Sequence, residues 1–251
     1  MNRVRNELVL LLSAAGFLTR MPVPGWIGWA EDRIVRASRY FAVIGALIGA
    51  FGGLVWWLAG MVFPPVLAAG LALGAIVLLT GAMHEDGLAD CADGFGGGKT
   101  GAQALEIMRD SQIGSYGALA LVFSVGLRWA ALSSLTPVSG VIALMMAGGI
   151  SRAMMVPATA MATYARPEGL GSGFAAGARN GEVVVAMGTA LALGILGGWA
   201  GMVALALAMV VSDVFLNYMT RRIGGYTGDG LGMMAQLGEI AVLVSLALTW
   251  A

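Results

Sequence analysis

Six of the 14 acidic residues in this chain fall between Glu85 and Asp110. They lie in the runs His84-Glu85-Asp86-Gly87-Leu88-Ala89-Asp90-Cys91-Ala92-Asp93-Gly94-Phe95 and Glu106-Ile107-Met108-Arg109-Asp110-Ser111. At helical spacing Asp86, Asp90 and Asp93 share one face within an arc of about 60°, with Glu85 pointing off it. Glu106 and Asp110 repeat that spacing on a second turn. Carboxylates packed this closely repel, and near a bilayer the cost rises, so something cationic must compensate. An oxygen-only ligand set selects a hard ion, Mg²⁺ or Mn²⁺. Mg²⁺ takes a few carboxylates plus substrate phosphates, and two such ions can clamp both sides of a phosphoryl displacement. The alternative is a solvated acidic face with no ligand.

The cations supply the complementary half. Arg109 adjoins Asp110, and Arg128 and Arg152 lie inside apolar stretches, where a bare guanidinium is expensive and faces a cavity or a partner. Such groups grip a diphosphate in forked geometry; the alternative is internal pairing with Glu239 or Asp213. Asp213, Asn217 and Arg221 follow at i, i+4 and i+8, a polar stripe that serves equally as helix glue or as a site wall. The run Gly224-Gly225-Tyr226-Thr227-Gly228-Asp229-Gly230-Leu231-Gly232 lets backbone amides approach a ligand, and Asp229 adds a cation or hydroxyl contact. His84, the only histidine, reads as a base, a metal ligand or neither.

The elements that must hold these residues are membrane helices. Of 251 residues, 59% are hydrophobic and 11% charged, against about 45–50% and 25% in ordinary soluble domains. The mean hydropathy is +0.84. A formal net charge of +0 leaves electrostatic nucleic-acid binding nothing to work with, and the single cysteine, Cys91, excludes an internal disulfide and a cysteine-based zinc site. We expect one all-α integral membrane domain over 1–251. Apolar runs of about 17–25 residues place seven spans near 40–62, 64–83, 115–135, 137–163, 181–197, 199–221 and 233–250. The connections alternate between tiny uncharged ones (Phe63-Pro64-Pro65, Thr136-Pro137-Val138, Gly197-Gly198) and long basic ones (1–39, 84–114, 164–180, 221–232). The positive-inside rule puts the basic set, and with it the acidic site, on the cytoplasmic side. Gly45-x3-Gly49-x3-Gly53 gives the first span a small-residue face for close packing. The 16 methionines read as core filler, and Trp26, Trp29, Trp56, Trp57 and Trp250 as interfacial anchors.

These residues resemble the adenosylcobinamide-GDP ribazoletransferase, or cobalamin synthase, family. Phe17-Leu18-Thr19-Arg20-Met21-Pro22-Val23-Pro24 is similar to its N-terminal signature, and His84 to Phe95 to its H-x-D-G-L-A-D-x-x-D-G block. Ile107-Met108-Arg109-Asp110-Ser111-Gln112-Ile113-Gly114-Ser115-Tyr116-Gly117 resembles a third block. Ser151-Arg152, and Gly225 to Asp229 followed by Gln236 and Glu239, complete five blocks in order. Cys91 and Met233 depart from the pattern, where Thr and a small residue are expected.

The resemblance implies an enzyme of the bacterial cytoplasmic membrane with Mg²⁺ as cofactor. The hydroxyl of α-ribazole, or of its 5′-phosphate, attacks the cobinamide-side phosphorus of adenosylcobinamide-GDP, GMP leaves, and the phosphodiester of the cobalamin nucleotide loop forms. Asp86, Asp90, Asp93 and Asp110 are then metal ligands, with Asp110 or Asp93 taking the hydroxyl proton. Arg109, Arg152 and Arg166 hold diphosphate oxygens, and Thr227, Asp229 and His84 contact substrate. The bilayer is the other partner, nucleic acid is not one, and a homo-oligomer is compatible with the chain. A CDP-alcohol phosphotransferase expects D-x2-D-G-x2-A-R before G-x3-D-x3-D, and this chain lacks that Arg. Polyprenyl transferases carry two separated aspartate-rich blocks. A cation-coupled transporter places ionisable groups at the midplane of broken helices, whereas here the acids gather in one connection.

Overall fold

The computed structural model describes residues 3–28, 30–166 and 176–250. Its elements are helices, as an apolar chain in a bilayer requires, because a helix satisfies its own backbone groups. In chain order they are α1 (Arg3–Leu18), α2 (Glu31–Ala37), α3 (Phe41–Ala59), α4 (Pro65–Thr80), α5 (Met83–Gly97), α6 (Gly101–Ile107) and α7 (Ser115–Ser133). There follow α8 (Pro137–Met161), α9 (Asn180–Leu196), α10 (Gly198–Ile223) and α11 (Gly228–Trp250). Among the described residues the only β pairing is one isolated bridge, Tyr164 to Tyr226.

Each of the seven expected apolar spans coincides with a helix. Among the described residues five helices are long and apolar enough to cross a membrane, Arg33–Ala59, α7, α8, α10 and α11, or six if a bent pair counts as one span. α4 is one arm of a pair with α5, bent by 89°. α9 has 17 residues, at the short end of the length a bilayer asks for. The break before α10 lies at Gly197 and Gly198, where the sequence put it. The 84–114 connection is not a loop: it holds α5 and α6.

α8 and α11 form the centre, with α3 packed along α8, and α5 and α10 along α11. The α3–α8 seam is built on the predicted glycine face. A side chain at Gly45 would overlap the backbone carbonyl of Gly148, and one at Gly49 that of Leu144. Trp56 is not an interfacial anchor: it is buried, and its indole N–H donates to the Pro137 carbonyl at 3.1 Å. Trp26 and Trp57 are exposed, and Trp29 lies outside the described residues.

Candidate active site

α5 carries four of the acidic residues, and neighbouring helices hold it along its length. It starts at an elbow, Gly81 and Ala82, both left-handed (φ 70° and 60°). The N-terminal segment docks there: the Arg20 N–H donates to the Leu79 carbonyl at 2.8 Å and its guanidinium packs over Gly81. Glu85 points inward. Its Oε1 accepts from Arg128 at 3.2 Å and from the Gln236 amide at 3.1 Å. Arg128 also donates to Glu239 at 2.7 Å, and Glu239 pairs with Arg152 through its other oxygen. All four charged side chains are buried, two of each sign. In the middle of α5, Asp93 accepts the Gly114 N–H at 2.7 Å and the Gly117 N–H at 2.9 Å. It thereby satisfies orphan amides at the start of α7 and sets a negative charge on that helix's positive end. At the far end Arg222 of α10 donates to the carbonyls of Phe95 and Gly98, at 3.3 and 2.6 Å.

A second construction brings a partner to α5. After α8 the chain pairs with the α10–α11 turn: Tyr226 N–H donates to the Thr163 carbonyl at 2.9 Å, and Ala165 N–H to the Tyr226 carbonyl at 2.8 Å. Gly225 is required there, because any side chain would overlap the Thr163 carbonyl. Tyr164 and Tyr226 close the pairing with an edge-to-face ring contact, centroids 5.5 Å apart. This turn places Arg166 on Asp229, Nη1 to Oδ2 at 2.7 Å. Thr227 is fully buried and its hydroxyl accepts the Gly230 N–H at 3.0 Å, which makes it the cap of α11. At Gly87 the α11 backbone comes so close that a Cβ would sit 2.7 Å from the Asp229 carbonyl oxygen.

The result is an acid-rich group. Asp90, half-buried, is under the influence of Asp86, Asp229, Arg166 and Asp93. Asp93 is engaged with two amides and Asp229 with Arg166, which leaves Asp86 and Asp90 as the nearby carboxylates that no guanidinium contacts among the described residues. Asp86 and Asp90, one helical turn apart, have no hydrogen-bond or ion-pair partner among the described residues. Arg166 keeps Nε and Nη2 buried and without a partner there. Repulsion among three carboxylates is relieved by whatever positive charge arrives. Among the described residues no three acidic, His or Cys side chains converge as a complete metal cage. Mg²⁺ does not ask for one, because it is held by one or two carboxylates, water and substrate phosphates, and the unengaged Asp86–Asp90 pair fits that demand.

Several expected site residues stand elsewhere. The four-aspartate ligand set is not assembled: Asp93 caps α7, and Asp110 lies exposed past the end of α6, accepting the Gln112 N–H at 3.0 Å. Arg109 is exposed beside it. Arg152 has the internal partner the sequence left as the alternative, Glu239 rather than Asp213. His84 is buried near Arg152, Glu239 and Arg128, with neither ring nitrogen hydrogen-bonded among the described residues. Thr227 acts by capping α11. Asp213 pairs with Asn217, exposed on α10. Glu85, Gln236 and Arg222 hold α5 in place, a role that residue type and spacing alone do not reveal for Gln236 and Arg222. For Glu85 the signal was present: it is the one acid of its run that leaves the common face. The two departures from the family pattern, Cys91 and Met233, line one apolar groove between α5, α10 and α11.

Comparison with known proteins places the whole chain. A family model described as cobalamin-5-phosphate synthase matches residues 10–247. A protein of Ralstonia nicotianae named adenosylcobinamide-GDP ribazoletransferase is 40% identical over 258 residues, covering 100% of this chain and 98% of the relative. Proteins of the same name from Shewanella amazonensis and Bradyrhizobium diazoefficiens are 40% and 42% identical. They match 100% and 97% of this chain, and 99% and 95% of their own lengths. No solved structure matches.

Proposed function

This chain belongs to the cobalamin-5-phosphate synthase family, and from that premise we propose the reaction its acid-rich group performs. It transfers the adenosylcobinamide phosphate moiety of adenosylcobinamide-GDP to α-ribazole or its 5′-phosphate. The acceptor hydroxyl forms a bond to the cobinamide-side phosphorus, the anhydride P–O bond breaks, and GMP leaves. The observation that carries this reading is the excess of carboxylate at Asp86, Asp90 and Asp229, set against Arg166 with two donor atoms unengaged among the described residues.

The roles follow from the geometry. Asp86 and Asp90 would hold Mg²⁺, with Asp229 beside them. Bound Mg²⁺ supplies charge neutralisation to the diphosphate and the departing GMP. Arg166, fixed at Nη1 by Asp229, offers Nε and Nη2 to diphosphate oxygens in forked geometry. Asp90 takes the acceptor's proton, since Asp93 is engaged by two amides and Asp110 stands apart. The rest of α5 serves orientation. Its clamps fix the helix phase so that the nucleophile and the phosphorus meet the same two carboxylates. The enzyme is multi-pass, and the basic connections support a site on the cytoplasmic face of a bacterial inner membrane.

The test is turnover by the lipid-embedded chain supplied with adenosylcobinamide-GDP, α-ribazole and Mg²⁺, read by mass spectrometry. We expect GMP and the cobamide to appear together and both to vanish with EDTA. Metal-independent turnover, or no product from folded protein, overturns the reading.

A further inference from the structure

Asp86 is hung from the elbow between α4 and α5. It lies in the first turn of α5, and its N–H donates to the Ala82 carbonyl at 2.8 Å. Ala82 precedes that helix and provides no side-chain cap. Its backbone is left-handed (φ 60°), a conformation that an L-residue other than glycine adopts against its steric preference. Among the described residues it is the one non-glycine residue with a positive φ. Such a backbone persists only where its surroundings over-determine it.

Arg20 supplies those surroundings. Leu18 ends α1 fully buried, and the Met21 N–H donates to the Thr19 hydroxyl at 3.2 Å, so Arg20 is presented by a fixed turn. Its N–H donates to the Leu79 carbonyl at 2.8 Å, and its Nη2 reaches the Gly81 carbonyl at 3.5 Å. Its guanidinium lies so close over Gly81 that any side chain there would overlap it. Both carbonyls belong to the C-terminal end of α4, where orphan acceptors and the helix dipole favour a cation. The carbonyl that holds Asp86 is the next one along the chain. Glu85 clamps the first turn of α5 from the interior, and Arg20 clamps the elbow from its exposed side.

We propose that Arg20 is a positioning residue for the transfer reaction: it holds Ala82 left-handed and so keeps Asp86 in register with Asp90 on α5. The assignment rests on the reading of Asp86 and Asp90 as the Mg²⁺ pair, and adds what keeps that pair ready. Without the guanidinium the alanine relaxes toward its preferred backbone, the first turn of α5 loosens, and the competent fraction falls. Glycine at position 82 needs no such hold, because it takes a left-handed backbone as readily as a right-handed one.

The test is Mn²⁺ binding by electron paramagnetic resonance on the lipid-embedded full chain without substrate, with melting recorded alongside. Arg20→Ala should weaken binding by about five- to thirtyfold, the population cost of a left-handed alanine. Ala82→Gly alone should bind within about twofold of the unmodified chain, and adding it to Arg20→Ala should recover most of the loss. Arg20→Gln is read in the same way if Arg20→Ala does not reach the membrane. Unchanged Mn²⁺ affinity in the Arg20 variant, whatever its melting temperature, overturns the proposal. So does a loss that Ala82→Gly does not restore, since Arg20 then acts by some route other than the elbow. If the unmodified chain holds no Mn²⁺, the reading of the metal pair itself falls, an outcome distinct from the other two.

Discussion

The ionic assembly reached through Glu85 sets Arg128 and Arg152 against Glu85 and Glu239, whereas the group reached through the next residue, Asp86, sets three carboxylates against Arg166. The first is buried, balanced in sign, and joined to Gln236 and Ser124 by hydrogen bonds. The second is partly exposed and unbalanced, with two of its carboxylates unengaged among the described residues. The difference teaches how to sort charges in an apolar protein. A buried set balanced in sign ties helices together through its ion pairs, although Glu85 Oε2 and Arg152 Nε have no hydrogen bond among the described residues. A set with carboxylate to spare, at the edge of the packed interior, is where an arriving cation gains most. One helix displays both because successive residues point about 100° apart.

That contrast can be broken most severely from the interior. Glu239→Ala leaves Arg128 and Arg152 buried and uncompensated, and should destabilise the protein by about 3–5 kcal/mol. Thermal melting of solubilised protein reads this as a large loss, and a variant that melts like the parent refutes the structural role. A smaller effect is expected at the site. Arg166→Ala removes charge-assisted hydrogen bonds worth about 1.5–3 kcal/mol, so kcat/KM for the GDP-linked donor should fall by about 10–100-fold. Acceptor binding measured alone should be unchanged. A matched loss in both substrates argues instead for collapse of the turn around Tyr226. Smaller again is Asp93→Ala, which strips the cap from α7. We expect about 1–3 kcal/mol of lost stability, with Mn²⁺ affinity by electron paramagnetic resonance unaltered. Weakened Mn²⁺ binding would return Asp93 to the ligand set.

The sequence was most legible where a single residue type repeats. Every apolar stretch is a helix, and the glycine face on α3 is a packing seam, because burial and close approach are written in local composition. The elbow was not legible: Ala82 adopts a left-handed backbone that alanine does not advertise, and α5 is too polar to read as part of a bundle. Nor could the aspartates be sorted. Asp86, Asp90 and Asp93 look alike in spacing, and only the amides of Gly114 and Gly117, more than 20 residues away, set Asp93 apart. Thr227 was legible in part, since Thr before a helical apolar run is a capping signal that competes with its reading as a substrate contact. Asp229 and Arg166 joined the site through the Tyr164–Tyr226 pairing, a long-range contact that no local pattern announces.

The most direct measurement is Mg²⁺-dependent turnover by Asp90→Asn, taken together with its melting temperature. A carboxamide of the same shape removes the charge and the proton acceptor but leaves the clamps on α5 intact. Turnover should fall by about 10²–10⁴-fold, with melting close to that of the parent. Near-parental turnover, or a variant that unfolds, would place Asp90 with the structural charges and contradict the division of α5 into two kinds of acid.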